Sequence, residues 1–320
     1  MFSRRLTLLA VAALLALPLA GRGWAGSPVK VVATTGMIAD AARQVGGDLV
    51  DVRALMGPGV NPHSYRQTRT DIVAMTRADL VLWHGLYLEA QMEDFFRDIS
   101  RKRNVVAVAE GLPREMLRGH DSYDDKFDPH VWMDPDLWKE VVKQVQRALT
   151  EVSPQDADMF AANAATYLAD MDVLSTYAQS TMAQVPLDRR VLLTAHDAFG
   201  YFGAAYKVEV LGIQGISTES EAGLNRISAL VDTLVDRGIT AVFVESSVSD
   251  RNIRAVIEGA AAYGHKVTIG GELYSDAMGP DGTYEGTYIG MIDHNATVIA
   301  RALGADAPAT GKDGKLTVGI

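Results

Sequence analysis

The longest unbroken helical pattern in the chain lies near its middle. Phe160, Ala164, Tyr167, Met171, Leu174, Ala178, Thr181 and Val185 recur at alternating spacings of four and three, the period of one helical face. No glycine or proline falls between Pro154 and Pro186. Ser153 is placed to cap the first turn, Pro154 suits the first helical position, and Asp156 sits where a capping-box acid would. Pro186 ends the pattern. At 1.5 Å of rise per residue such a helix is roughly 45 Å long, enough to cross a whole domain.

The same alternation of short apolar runs and helical stretches occurs on both sides of it. Before it, strands are predicted at 29–34, 50–55, 80–83 and 104–109, with helices at 37–45, 70–77, 89–99 and 138–151. The polar segment 118–128, with Asp121, Asp124 and Asp125 around His120, is expected to be a mobile surface loop. After it, strands are predicted at 190–194, 208–211, 241–244 and 266–269, and helices at 199–206, 224–237, 253–263 and 289–303. The tail from Gly304 is expected to be loosely held. Strands alternating with helices imply a parallel sheet, and two such runs imply two lobes. The expected class is therefore α/β: two pseudo-symmetric lobes, each a mostly parallel sheet flanked by helices, joined by one long helix. The expected boundaries are 26–152 for the first lobe, 153–186 for the linking helix and 187–320 for the second lobe. Residues 31–38 and 191–198 echo each other as strand, turn and helix.

Residues 1–25 read as a signal peptide and not as part of the fold. Arg4 and Arg5 precede an apolar run at 6–20, and Gly23, Trp24 and Ala25 supply small residues near a cleavage site. The run is short for a membrane span. Ser3-Arg4-Arg5-Leu6 resembles a twin-arginine signal, but Thr7 stands where a bulky residue is usual, which favours the general secretory route. Cysteine is absent, so a lipid-anchor cysteine, a disulfide and a thiolate ligand or nucleophile are all excluded. A periplasmic protein without a lipid anchor, expected to be a monomer, follows. The leader carries three arginines and no acids, so the net charge of −10 becomes −13 in the mature chain. That balance argues against nucleic acid or an anionic membrane as partner and suits a protein that handles cations.

Ligands of open α/β sheets bind beyond the carboxyl ends of the strands. Past the second strand of the first lobe comes His63; past its fourth strand and the acidic segment comes His130. Past the first strand of the second lobe comes His196, and past its last strand Asp276. If the lobes face each other, these loops meet. Three imidazoles and one carboxylate make a closed four-ligand site for a divalent cation. Asp128, Asp134, Asp197 and Glu245 are candidates to accept the other ring N–H of each histidine and so orient it. His84, His120, His265 and His294 are left outside the ligand set.

Asn61-Pro62-His63-Ser64-Tyr65, Asp128-Pro129-His130-Val131-Trp132, His196-Asp197-Ala198-Phe199-Gly200-Tyr201 and the stretch 270–279 together resemble the metal-binding substrate-binding proteins of bacterial ABC transporters, cluster A-I. The likeness is strongest to the TroA-type zinc- and manganese-binding members and runs over about 29–303. It implies a single metal in a cleft between two lobes, held by His63, His130, His196 and Asp276. It further implies delivery of that ion to an inner-membrane permease for import, with no catalysis. Manganese-type members often carry a glutamate at the place of His196, and dedicated zinc members often carry a long histidine-rich loop at the place of 118–128. This chain stands between them, so zinc and manganese are both open as cargo, with zinc favoured in vitro.

Two other classes compete with this reading. An exported zinc-dependent hydrolase needs an open metal position for water and a nearby base. No His-Glu-x-x-His helix is present, and Glu245 is the acid that could serve. A metal-stabilised surface adhesin is supported by export alone. A phosphate or nucleotide binder is disfavoured because Gly57-Pro58-Gly59 does not open a helix onto a phosphate.

Overall fold

The computed structural model describes residues 27–120 and 123–317. The signal segment expected over 1–25 lies outside the described residues. In chain order, β1 (Val29–Ala33), α1 (Gly36–Gly46), β2 (Val50–Ala54), α2 (Arg69–Arg77), β3 (Leu80–Trp83), α3 (Glu93–Ile99) and β4 (Val105–Ala107) form the first half. The four strands are parallel, in the order β2-β1-β3-β4. One sheet face packs Val32 and Val81 against Met75, Met92 and Phe96. The other packs Val31, Ala33, Leu80 and Leu82 against α1 and the long helices. Strands buried on both faces read as continuous apolar runs, which is why they were legible.

The segment expected to be a loop folds differently. β5 (Gly119–His120) and β6 (Tyr123–Phe127) pair as an antiparallel ribbon. Only Tyr123 and Phe127 are apolar in β6, so no alternation betrayed it. The chain then enters α4 (Pro135–Val152) and α5 (Ala157–Ala183).

α5 is the long helix. Its buried residues include Phe160, Ala164, Tyr167, Met171, Leu174, Ala178 and Thr181, the periodic stripe of the sequence. The stripe packs against α4, α1 and a later helix, in the largest apolar core of the molecule. Its start differs from expectation: Pro154–Asp156 is a 3-10 turn, and Ser153 Oγ donates to the Asp156 carboxylate at 2.6 Å and does not cap a backbone N–H. The helix also ends at Ala183, before Pro186.

The second half contains β7 (Val191–Thr194), α6 (Gly200–Tyr206), β8 (Glu209–Gly212), α7 (Leu224–Arg237), β9 (Ala241–Glu245), α8 (Arg251–Ala262), β10 (Thr268–Leu273) and α9 (Tyr288–Ala302). β7 pairs with β8 and β9 with β10, both parallel, and β7 lies alongside β9. The two pairs are separate two-stranded sheets, but set side by side in the order β8-β7-β9-β10 they echo the arrangement of the first sheet. β10 begins later and runs further than its apolar residues suggest, because a register shift between Ile269 and Gly271 carries it through the glycine pair. The tail is held, contrary to expectation: Leu316 is buried, the Lys312 N–H donates to Asp293, and the Thr317 N–H donates to Glu285.

Candidate metal centre

Four strand-end loops converge at one point. His63 follows β2 through the breaker-rich turn 57–62, and its backbone N–H donates to Asn61 Oδ1 at 3.0 Å. His130 follows Pro129; Asp128 Oδ1 accepts both its backbone N–H at 3.0 Å and its ring Nδ1–H at 2.7 Å. His196 follows β7, and Glu245 at the end of β9 accepts its backbone N–H at 2.9 Å and its Nδ1–H at 2.6 Å. Asp276 follows β10.

Because carboxylates accept from Nδ1 of His130 and His196, the Nε2 atoms are the ones turned inward, and each offers a lone pair once its proton leaves. Asp276 Oδ1 lies 3.4 Å from His130 Nε2 and 3.3 Å from His196 Nε2. His63 Nε2 lies 3.3 Å from His130 Nε2 and 3.9 Å from Asp276 Oδ2. Ligands about 2.0 Å from a tetrahedral zinc ion stand ~3.3 Å from one another. Three of these separations, 3.3 to 3.4 Å, match the edges of such a polyhedron, the His63–Asp276 separation is longer at 3.9 Å, and one ligand atom from each residue lies within 4.8 Å of all the others. All four residues are buried. His196 Nε2 and both Asp276 carboxylate oxygens have no hydrogen-bond partner among the described residues. Polar atoms stranded in this way cost free energy unless something binds them.

The charges are arranged for a cation. Burial disfavours the charged ring of His130, yet the Asp128 and Asp276 carboxylates overcome it and raise the group to about 9. Burial likewise opposes the charged ring of His196, and Asp276 and Glu245 raise it well above the usual histidine range. Asp276 is pushed up by burial but drawn well below the carboxylate range by His196, His130 and His63. His63 has no such carboxylate clamp, and burial lowers it to about 3 despite Asp276.

Of the four acids expected behind the ligands, Asp128 and Glu245 stand against the rings of His130 and His196. Asp134 does not: it caps α4, accepting the Asp136 N–H at 2.9 Å. That acceptor satisfies the N–H of the second helical residue, which has no partner within the helix. Asp197 gives its backbone N–H to Gly215 O at 3.3 Å and lines a cavity with His120 and Gln214.

Other residues that set the site were not picked out from the sequence. His84 Nε2 donates to Pro129 O at 2.7 Å and so fixes the His130 loop; burial lowers this imidazole to about 3, which keeps it neutral. Its place after β3 was the available signal. Trp132 Nε1 donates to Ser275 O at 2.7 Å, tying the His130 loop to the Asp276 loop. Tyr201 bonds the Asp128 carbonyl at 2.9 Å. Asn295 in α9 grips Tyr274, accepting its N–H at 2.9 Å and donating to its carbonyl at 2.7 Å.

A model of the family described as ZnuA, zinc-uptake complex component A, periplasmic, matches residues 31–302. The chain belongs to this family. It is 47% identical over 281 residues to the manganese-binding lipoprotein MntA of Bacillus subtilis, covering 87% of this chain and 91% of that one. It is 44% identical to the zinc-binding protein TroA of Treponema pallidum over 87% of this chain and 89% of that one. The solved structure of that TroA superposes with a TM-score of 0.83, covering 87% of this chain and 99% of the other. The iron-binding protein YfeA of Yersinia pestis is 30% identical over 86% of each chain. Relatives of this one chain thus bear the names of three different metals.

Proposed function

We propose that this chain captures one divalent transition-metal ion, zinc ahead of manganese, on His63, His130, His196 and Asp276. Asp128 and Glu245 orient two of the imidazoles, and the loaded protein delivers its ion to an inner-membrane ABC permease. On this reading the chain is exported to the periplasm behind the signal segment 1–25 and catalyses no reaction. Its working parts are a first lobe over 26–152, a linking helix over 153–186 and a second lobe over 187–320.

The observation that carries the reading is the set of four buried ligand atoms within 4.8 Å of one another, three of their separations at 3.3 to 3.4 Å. A hydrolase needs a position left for water. The stranded oxygens of Asp276 gain their partner when the ion enters.

Equilibrium dialysis of metal-stripped protein tests it. One zinc ion per chain is expected, with a rise in melting temperature, since an ion bound only by the folded state stabilises it. His130→Ala and Asp276→Ala are each expected to abolish both effects. Unchanged stoichiometry and melting shift in both variants overturn the assignment, and turnover of ester, peptide or phosphate substrates by the zinc form restores the hydrolase.

A further inference from the structure

The ligand loops are not equally secured. Those of His130, His196 and Asp276 are held from buried positions by Asp128, Glu245, His84, Trp132 and Asn295. Among the described residues His63 is held by one amide, that of Asn61, which is half-buried. His63 Nε2 also stands furthest from the Asp276 carboxylate, at 3.9 Å against 3.3 and 3.4 Å for the other two.

The far end of the Asn61 side chain reaches the other half of the molecule. Its Nδ2 donates to Thr218 Oγ1 at 2.9 Å. Thr218 belongs to a strap, residues 213–219, that leaves β8 and starts against the His196 loop. There the N–H groups of Ile213 and Gln214 donate to Thr194 O and Ala195 O, both at 3.0 Å. The Asp197 N–H returns a bond to Gly215 O at 3.3 Å. The strap is fastened to the first half again where Gln91 Nε2 donates to Glu219 Oε1 at 2.5 Å. One short segment is thus bonded to the His196 loop at its base and to the His63 loop at its tip. A cavity of about 320 Å³, lined by Asn61, Gln214, Thr218 and Ser247, opens beside the tip. Water can compete there for the Asn61–Thr218 bond, as it cannot for the buried bonds on the other ligand loops.

We infer that Thr218 is a positioning residue for the captured ion: through Asn61 its hydroxyl holds His63 in the ligand set, and release begins when that bond opens. The inference rests on the metal site proposed above. Thr218→Val removes the hydroxyl at nearly constant volume and leaves the bond from His63 to Asn61 in place; Thr218→Ser restores the hydroxyl.

The test is the rate of zinc loss to an excess of chelator from full-length wild-type protein and both variants, with the melting temperature of each metal-free form. Thr218→Val is expected to release zinc roughly fivefold faster, the worth of one net hydrogen bond. Thr218→Ser is expected to return to the wild-type rate, and metal-free melting of Thr218→Val to fall by no more than the roughly 2–4 °C that one net hydrogen bond is worth. If wild-type protein takes up no zinc, the site assignment fails and the inference with it. If wild-type protein binds zinc and Thr218→Val releases it at the wild-type rate, the inference alone fails. It fails equally if Thr218→Ser is as fast as Thr218→Val, or if metal-free melting falls well beyond that amount, since that marks a purely structural role.

Discussion

Glu245 holds His196 at two points, one oxygen on the backbone N–H at 2.9 Å and the other on ring Nδ1 at 2.6 Å. The first bond fixes where the residue sits and the second fixes which ring nitrogen is free. Glu245→Gln puts an N–H donor opposite one of those donors. Metal affinity is expected to fall by about 10- to 100-fold, as for other carboxylates behind a histidine ligand. Chelator-competition titration measures it, and an affinity within twofold of wild type would show that the grip does not tune the ligand.

Asp134 supplies the contrast. Its carboxylate caps α4 and bonds no ligand ring, so Asp134→Ala is expected to cost about 1 kcal/mol of stability. Zinc affinity should not change. Denaturant unfolding and the same competition titration separate the two effects.

Proton release should accompany loading. In the metal-free protein His130 titrates near 9 and His196 well above its usual range, so both rings are charged at neutral pH. A metal needs the neutral imidazole. An entering divalent ion therefore displaces two protons and leaves the net charge of the site unchanged. Affinity is expected to fall as the pH falls, and to lose part of that dependence above about 9, where His130 is already neutral. The metal-free form behaves oppositely. A histidine raised in the folded state contributes stability that is full below its unfolded value of 6.5 and is lost as pH rises through about 9. The melting gap between loaded and empty protein should widen over that window. Calorimetry in buffers of different ionisation enthalpy counts the protons; a count of zero would contradict the assigned charges.

Zinc should displace manganese. Three imidazoles and one carboxylate suit zinc, whereas manganese lies at the weak end of the affinity order and prefers oxygen. Both Asp276 oxygens nevertheless face the ligand cluster, Oδ1 towards His130 and His196 and Oδ2 towards His63. Coordination through both adds a fifth ligand atom and makes room for manganese. Competition in metal-free buffer decides the order; manganese displacing zinc at equal concentration would overturn it.

The strand-end rule located the four clustered residues because each of their loops follows a strand of one half or the other, and α/β topology forces such loops together. The long helix was legible for a local reason: its buried stripe is periodic. What escaped was non-local. Trp132, Tyr201 and Asn295 look like core residues in sequence, and their bonds to Ser275, Asp128 and Tyr274 exist only once distant segments are packed. The β5–β6 ribbon escaped because its partner strand is two residues long and its side chains are mostly polar. Asp134 and Asp128 are both acids at the start of a turn, and only geometry tells a helix cap from a histidine partner.

α5 runs 27 residues without glycine or proline, and its buried stripe locks it to α4, α1 and α9. Helices bend sharply at identifiable breakers, and this one has none. Solution scattering from empty and loaded protein is expected to superimpose closely; a change of several ångströms in radius of gyration would refute the rigid connection.

A carrier whose filled and empty forms share one outline gives its permease little shape to tell them apart. A receptor that binds two states equally shifts no equilibrium between them. Empty carriers then occupy the docking site almost as well as filled ones, and import slows when carriers outnumber ions. If the two outlines prove the same, uptake under metal starvation follows the proportion of carriers that are loaded, and making more of the protein does not by itself bring in more metal.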